Sequence, residues 1–260
     1  MADSVRAWHP EVPGIREVLH ATFSQHAYPA HVHDDWTVLL IDDGAVAYAL
    51  DRAGHHAVPG TVTLLPPQIP HDGRTAVAGR PFRKRVLYLD REWLPPTSEV
   101  AAAREPALRD PRAIGIVAGI HEALRAPGDA LAAECGVLAL ADLARASADG
   151  SRLLRTASDA PLARRLRQML DDRVDESFTI AEAARLLGTH PSHLVRVFSR
   201  SYGIPPHRYL TALRVDRARQ LLRAGLPAAE VAARAGFHDQ AHMSRHFRRV
   251  LGAAPGTFAA

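Results

Sequence analysis

The chain carries an internal repeat near its C-terminus, and this repeat restricts the possible folds more than any other feature of the sequence. Each copy contains an Ala-rich apolar run, a glycine (Gly188 or Gly236) and an apolar-x-Arg-x-Phe pattern that contains Arg196 or Arg245. The copies are about 48 residues apart, and each predicts a helix, a glycine-containing turn and a second helix. Two such patterns in tandem favour a DNA-binding function over two ordinary helical hairpins with solvated faces.

The second helix of each copy is predicted to have one apolar face and one polar face. Apolar residues four positions apart lie on the same side, and the arginine between them points away. Thr189 and Asp239 are the predicted N-caps, and Val250 is expected to face inward. Arginine, glutamine and serine suit base edges and phosphates. The predicted DNA contacts are Ser192, His193, Arg196, Ser199, Arg200, Gln240, His242, Ser244, Arg245, Arg248 and Arg249.

Spacing and charge support the same function. Residues 206–224 have the apolar period of a helix about 28 Å long, comparable to the ~34 Å between successive major-groove faces of B-DNA. Residues 160–260 contain 16 Arg and 8 acidic residues, whereas the whole chain has a net charge of only +4. The positive charge is therefore concentrated in the part that contains the repeat, as expected for a polyanion-binding surface.

Residues from about 160 to 258 resemble the DNA-binding domain of the AraC-type transcription regulators. The resemblance is carried by Ala183-Ala184-x-x-x-Gly188, Leu194-x-Arg196-x-Phe198, Gly203-x-Pro205, Arg214, Ala218, Val231-Ala232-x-x-x-Gly236-Phe237, Met243-Ser244-Arg245-x-Phe247 and Gly252-x-x-Pro255. His190-Pro191 departs from the family's usual serine cap and polar first residue, and Val195 replaces a polar base-contacting residue of some members. The resemblance implies binding to double-stranded DNA, a small-molecule effector and a homodimer, and it leaves open a contact with RNA polymerase.

The N-terminal part of the chain has a different pattern. Between residues 14 and 90, short runs rich in Val, Ile, Thr and aromatic residues alternate with turn signals. The predicted strands are residues 15–23, 36–41, 45–50, 61–65 and 82–89. Several short strands at this spacing predict a small antiparallel barrel or sandwich.

Histidines in and between these strands resemble part of the cupin metal-binding pattern. His31-x-His33 is followed by Pro70-His71, but Thr37 stands where cupins have a metal-binding glutamate. Three neutral imidazoles could still bind zinc, iron or copper, and ordinary turn or edge histidines are another alternative. Because AraC-type sensor domains often keep such histidines without a metal, we predict no metal and no cofactor. The predicted effector-binding residues are His31, His33, Trp36, Tyr48 and His71.

Helical patterns occupy the middle of the chain. Leucine, isoleucine and alanine recur at helical spacing in residues 112–125 and 129–146, and residues 96–148 are therefore a predicted helical region. In AraC-type regulators this region commonly supplies the dimer interface, although the two helices could instead pack only on their own chain. Small polar residues at 149–159 predict a flexible linker.

We predict an α+β chain of two domains. Residues 1–95 form a cupin-like ligand-sensing domain, an antiparallel β-barrel, and residues 160–260 form an all-α DNA-binding domain with two helix-turn-helix units. The lone Cys135 excludes an internal disulfide, and no apolar run is long enough to cross a membrane, so we expect a cytoplasmic protein. The predicted function is sequence-specific regulation of transcription in response to a small molecule, without enzymatic activity. Two alternatives remain: a metal-dependent cupin enzyme with an accessory helical domain, and a regulator without a ligand.

Overall fold

A computed structural model describes residues 3–24, 27–51, 53–77, 79–149, 160–251 and 253–258. The described residues form two compact units. The first contains the residues up to His121 and those from Leu140 to Asp149, and the second contains Glu122–Ala139 and the residues from 160 onward. No helix in the described ranges has the length and hydropathy needed to cross a membrane.

The first unit is built from two antiparallel sheets. One has the strand order β1-β2-β9-β4-β7-β10 and the other has the order β3-β8-β5-β6. The strands are β1 Ser4–Trp8, β2 Ile15–Phe23, β3 Ala27–His31, β4 Trp36–Asp43, β5 Val46–Leu50, β6 Ala53–Ala57, β7 Val62–Leu65, β8 His71–Thr75, β9 Phe82–Leu89 and β10 Ala107–Leu108. The five predicted strands are confirmed as β2, β4, β5, β7 and β9, and so is the predicted antiparallel architecture.

Apolar side chains from both sheets form the core of the first unit. Leu39 and Phe82 belong to the larger sheet, Tyr48 and Leu50 belong to the smaller one, and all four lie in one buried cluster. Side chains alternate between the two faces of a strand, so the alternating apolar residues of each sheet point toward the other sheet. This shared core explains why the apolar strands were predictable from the sequence.

Three helices follow the strands: α1 Pro96–Arg104, α2 Pro111–Ala123 and α3 Ala130–Asp149. The predicted helices at 112–125 and 129–146 are therefore confirmed as α2 and α3. The predicted region 96–148 does not form a body of its own, because Leu131, Cys135 and Leu138 pack in the core of the second unit. Apart from Asp149, which ends α3, the predicted linker at 149–159 lies outside the described residues.

Helices form the rest of the second unit. They are α4 Ala160–Asp172, α5 Ile180–Leu186, α6 Pro191–Tyr202, α7 Pro206–Arg223, α8 Ala228–Arg234 and α9 Gln240–Leu251. Helices α5 and α6 form the first predicted helix-turn-helix unit, α8 and α9 form the second, and α7 is the predicted connecting helix. Gly252, which belongs to the end of the second repeat, lies outside the described residues.

The N-cap of α9 agrees with the sequence prediction, and the N-cap of α6 differs from it. The Asp239 carboxylate accepts a hydrogen bond from the backbone N–H of His242 at 2.6 Å and caps α9, as predicted. The predicted cap Thr189 is wrong, because His190 occupies the N-cap of α6 and its Nδ1 accepts from the N–H of Ser192 at 3.2 Å. Pro191 is the first helical residue, so the cap must be the residue immediately before it.

Helix α5 receives an additional cap from α3. The side chain of Glu134 is buried, and its two oxygens accept hydrogen bonds from the backbone N–H groups of Ile180 and Ala181, each at 2.9 Å. These N–H groups belong to the first turn of a seven-residue helix and have no intrahelical partner. Glu134 therefore ties the first half of α3 to the first helix-turn-helix unit.

The two repeat glycines have different surroundings. Both have a positive φ, +63° at Gly188 and +78° at Gly236, which favours glycine. A Cβ at Gly188 would meet nothing within 4 Å, whereas a Cβ at Gly236 would lie 2.5 Å from the carbonyl oxygen of Val174. Val174 lies in the loop between α4 and α5, so Gly236 allows the second turn to pack against the first half of the repeat.

This difference predicts unequal costs for the same substitution. Gly188→Ala should lower the free energy of unfolding by about 1–2 kcal/mol through its backbone conformation alone. Gly236→Ala should cost about 1–3 kcal/mol more, because the added methyl group overlaps the backbone at Val174. Urea unfolding followed by far-UV circular dichroism measures both. Equal losses would show that the loop moves aside without cost.

Candidate nucleic-acid interface and effector site

The polar face of α6 consists of four of the five residues predicted there. His193, Arg196 and Ser199 are partly exposed, and Arg200 is exposed. Nη2 of Arg196 lies 3.0 Å from Nδ1 of His193. The Ser199 hydroxyl donates to the carbonyl oxygen of Val195 at 2.8 Å. Arginine, serine and histidine side chains on one stripe of a helix can contact both bases and phosphates.

The fifth predicted residue of α6, Ser192, does not belong to this face. Ser192 is only 3 % exposed, so its prediction as an outward-facing residue is wrong. The buried part of α6 is wider than the Leu194/Phe198 stripe, because Val195 and Val197 are buried as well. Ser192 also lies in the first turn, where its backbone N–H binds the His190 cap.

Helix α9 also has an exposed polar face. Gln240, Arg248 and Arg249 are exposed, and Ser244 and Arg245 are partly exposed. The prediction that Val250 faces inward is wrong, because its residue surface is 45 % exposed.

His242 was predicted on this outer face, but it is buried. Its Nδ1 accepts a hydrogen bond from the backbone N–H of His238 at 3.1 Å, and its Nε2 lies 3.1 Å from Oδ1 of Asp129. The ring of His242 is therefore held at the N-terminal end of α9. His246, one turn further along, is also buried, and its Nε2 lies 2.7 Å from the same Asp129 oxygen.

We call Asp129, His242, Arg245 and His246 the Asp129 cluster. Nη2 of Arg245 donates to Oδ2 of Asp129 at 3.3 Å. Burial would raise the pKa of the Asp129 carboxyl, but the hydrogen bonds from His242 and His246 outweigh burial and hold this pKa well below its usual range. Sequence reasoning missed this contact, because 116 residues separate Asp129 from Arg245.

The Asp129 cluster and the group His31, His33 and His71 each bring three metal-ligand side chains together. Hydrogen bonding separates the two cases, because a histidine that binds a metal through one nitrogen donates the N–H of the other. In the Asp129 cluster, Nδ1 of His242 is an acceptor. Its Nε2 must therefore carry the proton and donate to Asp129, which leaves no lone pair for a metal.

The three histidines of the first unit have the opposite arrangement, and we call them the three-His cluster. The Nδ1 atoms of His31, His33 and His71 donate to the backbone carbonyls of Pro29, Asp35 and Ile69 at 2.8, 2.9 and 2.9 Å. Since a carbonyl can only accept, each Nε2 has a lone pair available. The ligand atoms of the group lie within 4.8 Å of one another, which fits a divalent transition metal.

Two further features characterise the three-His cluster. Burial lowers the pKa of His33 and lowers that of His71 to about 4, so both rings are neutral near pH 7, as metal ligands must be. Thr37, at the glutamate position of the cupin pattern, lies with its Oγ1 3.0 Å from Nε2 of His33. The Thr37 hydroxyl can donate a hydrogen bond to the Nε2 lone pair of His33, which a metal would otherwise use.

The other two predicted effector residues lie elsewhere in the core. Trp36 is fully buried and packs edge-on against Trp93 at 5.9 Å, whereas Tyr48 stacks on His55 at 5.4 Å. Tyr88, which sequence reasoning missed, packs edge-on against His33 at 5.8 Å. A cleft of about 580 Å³ opens beside this pair and is lined by His9, Arg16, Glu17, His33, Asp35 and Tyr88.

Lys84 is a second residue that sequence reasoning missed. It is the only lysine of the chain and lies on the same face of β9 as Tyr88, four residues away. Its Nζ lies 4.2 Å from the ring centre of Tyr28, and burial lowers the pKa of the amine to about 8. The structure shows no carboxylate within ion-pair distance of Lys84 among the residues it describes. The signal in the sequence was a single lysine among 32 basic residues, within a strand of alternating apolar side chains.

Comparison with known proteins agrees with both units. A sequence profile described as an AraC-like ligand binding domain matches residues 13–141, and one described as a helix-turn-helix domain matches residues 183–260. The HTH-type transcriptional regulator YbfI of Bacillus subtilis is 26% identical over an alignment of 229 residues, which covers 83% of this chain and 81% of that protein. The arabinose operon regulatory protein of Salmonella typhimurium is 29% identical over an alignment of 213 residues, which covers 78% of this chain and 75% of that protein.

The two profiles follow each other in the order of the two units, and similarity to these relatives extends through most of the chain. Strands β2 to β10 and the three-His cluster lie within the first match, and most of α5 together with α6 to α9 lies within the second. The chain therefore belongs to the AraC-type transcription regulators, with an N-terminal ligand-binding domain and a C-terminal helix-turn-helix domain that binds DNA.

Proposed function

We propose that α6 and α9 are the two DNA-recognition helices, and that Arg196 and Arg245 contact base edges. The observation that carries this proposal is the polar stripe on each helix with an arginine at its centre. The connecting helix α7 has 18 residues and is about 27 Å long, which suits two recognition helices in adjacent major grooves. His193, Ser199, Arg200, Gln240, Ser244, Arg248 and Arg249 supply further base and phosphate contacts.

We also propose that this regulator is a cytoplasmic homodimer without enzymatic activity. It responds to a small effector bound in the first unit, and it can contact RNA polymerase. The family resemblance and the names of the relatives as transcriptional regulators support this proposal. Sedimentation of the purified chain with and without DNA tests the dimer.

Substitution of the two central arginines tests their role. Arg245→Ala should relax base preference at one cluster of positions, and Arg196→Ala should relax it about 10 base pairs away. Each lost contact should reduce discrimination by about 1–3 kcal/mol. The effect of Arg245→Ala should be the larger, because Gln240 is exposed on the same helix. Selection from randomised duplexes measures the preference of each variant.

Arg234→Ala is the matched control, because Arg234 is exposed on α8 and pairs with Glu230 outside both recognition helices. This control should keep the wild-type preference. If the Arg196 and Arg245 variants also keep it at every position, α6 and α9 do not recognise bases through these arginines.

In the first unit, Lys84 supports a specific class of effector. An ammonium group that faces an aromatic ring and no described carboxylate can form an ion pair with a carboxylate supplied by a ligand. The apolar and aromatic side chains around it, including Phe23 and Tyr28, suit a small organic acid with an apolar body. The proposed effector therefore carries a carboxylate.

Thermal-shift screening tests this effector class. Small carboxylic acids, each paired with its neutral amide, should include acids that raise the melting temperature of the wild type while their amides do not. A ligand at 100 times its Kd stabilises by about 2.7 kcal/mol. Lys84→Met should abolish the shift. Stabilisation by amides as well as acids, or an unchanged shift in Lys84→Met, would contradict the assignment.

Metal binding by the three-His cluster is a second candidate function. From the sequence we predict no metal, because AraC-type sensor domains often keep such histidines without one and Thr37 replaces the glutamate of the cupin pattern. The three carbonyl-bound Nδ1–H groups favour metal binding instead, because they leave an Nε2 on each ring as a possible ligand, and the ligand atoms of the group lie within 4.8 Å of one another. A divalent ion held there would offer open coordination positions to oxygen atoms of an effector.

Cobalt titration tests the three-His cluster. Chelator-treated protein should bind one equivalent of Co²⁺, develop visible absorption and gain thermal stability. His71→Ala should lose both effects, whereas His56→Ala, which removes an exposed histidine of β6, should retain them. If wild type binds no stoichiometric cobalt, the histidines serve as polar groups of the effector site only.

A further inference from the structure

The loop before α3 lies directly against the start of α9. Gly128 has a φ of +92°, and a Cβ at this residue would clash with the ring of His242 and lie 2.8 Å from Cβ of His238. The backbone carbonyl of the next residue, Asp129, accepts hydrogen bonds from the backbone N–H groups of Ala132 and Ala133 at 2.9 and 3.2 Å. The backbone of Asp129 is thus fixed at the beginning of α3, while its side chain extends to α9.

Three side chains of α9 converge on the Asp129 carboxylate. His242 and His246 donate to Oδ1, and Arg245 donates to Oδ2. The Asp129 side chain is 11% exposed and that of Arg245 is 34% exposed, so this ion pair is partly shielded from water. A carboxylate in such a position interacts more strongly with a guanidinium than it would in an exposed pair.

The contact engages the guanidinium that the proposed function assigns to base recognition. Arg binds guanine through two parallel N–H groups, and it binds phosphates with the same donors. In this structure Nη2 of Arg245 donates to Asp129, and Nε of Arg245 is buried without a hydrogen-bond partner in the described part of the chain. Asp129 also adds a negative charge beside the surface that must attract DNA.

A metal site does not explain this arrangement, because Nδ1 of His242 accepts a backbone N–H and its Nε2 must carry a proton. A purely structural role remains the main rival. The buried histidines fit that role, since both are fixed by Asp129 and do not need to move. Arg245 does not fit it, because its side chain is one-third exposed and lies within the polar stripe of α9.

We propose that Asp129 is an intramolecular competitor of DNA, which holds Arg245 in a state that does not recognise bases. DNA or an effector-driven change must displace the carboxylate from Arg245 before α9 binds its site. This proposal rests on the proposed function of α9. Until the carboxylate is displaced, Asp129, which lies outside the helix-turn-helix repeat, limits the affinity of the protein for DNA.

Asp129→Asn in the full chain tests the competition, because asparagine keeps the shape and removes the charge. Its Kd for a fluorescent duplex selected with the wild-type protein should fall by about 5- to 30-fold. The slope of log K against log salt should steepen by about one, as expected when one more cation becomes available to DNA. Fluorescence anisotropy at several salt concentrations measures both.

Asp216→Asn is the matched control. Asp216 is an exposed carboxylate of the same unit that pairs with Arg219 within α7, so the variant makes the same change in net charge. It should change Kd less than twofold. An equal gain in both variants would overturn the proposal, because the effect would then be one of net charge only.

A double variant separates competition from structure. In an Arg245→Ala background, Asp129→Asn should no longer tighten binding, because the competing contact is already absent. If Arg245→Ala changes base preference but Asp129→Asn leaves Kd unchanged, the competition is wrong and the proposed function of α9 stands. If Arg245→Ala leaves base preference unchanged, the proposed function of Arg245 itself fails.

Two further measurements keep the proposal testable if Asp129→Asn does not fold. Gly128→Ala should also tighten DNA binding, because its methyl group pushes the loop away from His242 while the carboxylate is kept. In the wild type, saturating DNA should speed amide hydrogen exchange at residues 127–133, because the loop loses its contact with α9. Unchanged exchange together with unchanged binding by Gly128→Ala would overturn the proposal.

Discussion

The guanidinium of Arg214 is the contact on which the geometry of the DNA-binding unit depends. From the middle of α7 it donates to the carbonyl oxygens of Val174 and Glu176, each at 2.7 Å, and thereby fixes the loop between α4 and α5. Gly236, in the second turn, lies against the same loop and within reach of the same guanidinium. The loop that leads into the first helix-turn-helix unit, the connecting helix and the second turn therefore meet at one side chain. The proposed binding of α6 and α9 in adjacent grooves requires a fixed spacing between these helices, and this junction supplies that constraint.

Sequence reasoning succeeded where local pattern and tertiary packing coincide. β2 and β9 were predicted to the residue, because their apolar side chains alternate and one face is buried. β3, β6 and β8 were missed, because histidine, glycine, proline and aspartate interrupt that alternation, and β10 has only two residues. Within the candidate sites, the arginine stripes of α6 and α9 followed from helical spacing. The contacts of Glu134 and Asp129 could not be predicted, because their partners are distant in sequence and chosen only by the tertiary fold.

The two histidine groups show why residue type alone does not define a site. Both bring imidazole nitrogens together, and the sequence suggested a metal pattern only for the three-His cluster. What distinguishes the groups is the partner of the second ring nitrogen: a backbone carbonyl in the three-His cluster and a backbone N–H at His242. The carbonyl leaves a lone pair available on Nε2, and the N–H places a proton there. The same side chain thus becomes a potential ligand in one unit and a hydrogen-bond donor to a carboxylate in the other.

The position of Cys135 has a kinetic consequence. This lone thiol is buried in the core shared by α3 and the first helix-turn-helix unit, and burial raises its pKa. Only the thiolate reacts readily with alkylating or oxidising reagents, so the closed protein is inert at this residue. Modification must wait until the core opens, and its rate at high reagent concentration equals the opening rate. The modification rate of Cys135 thus reports the rate at which α3 separates from α5 and α6, and the measurement requires no introduced cysteine.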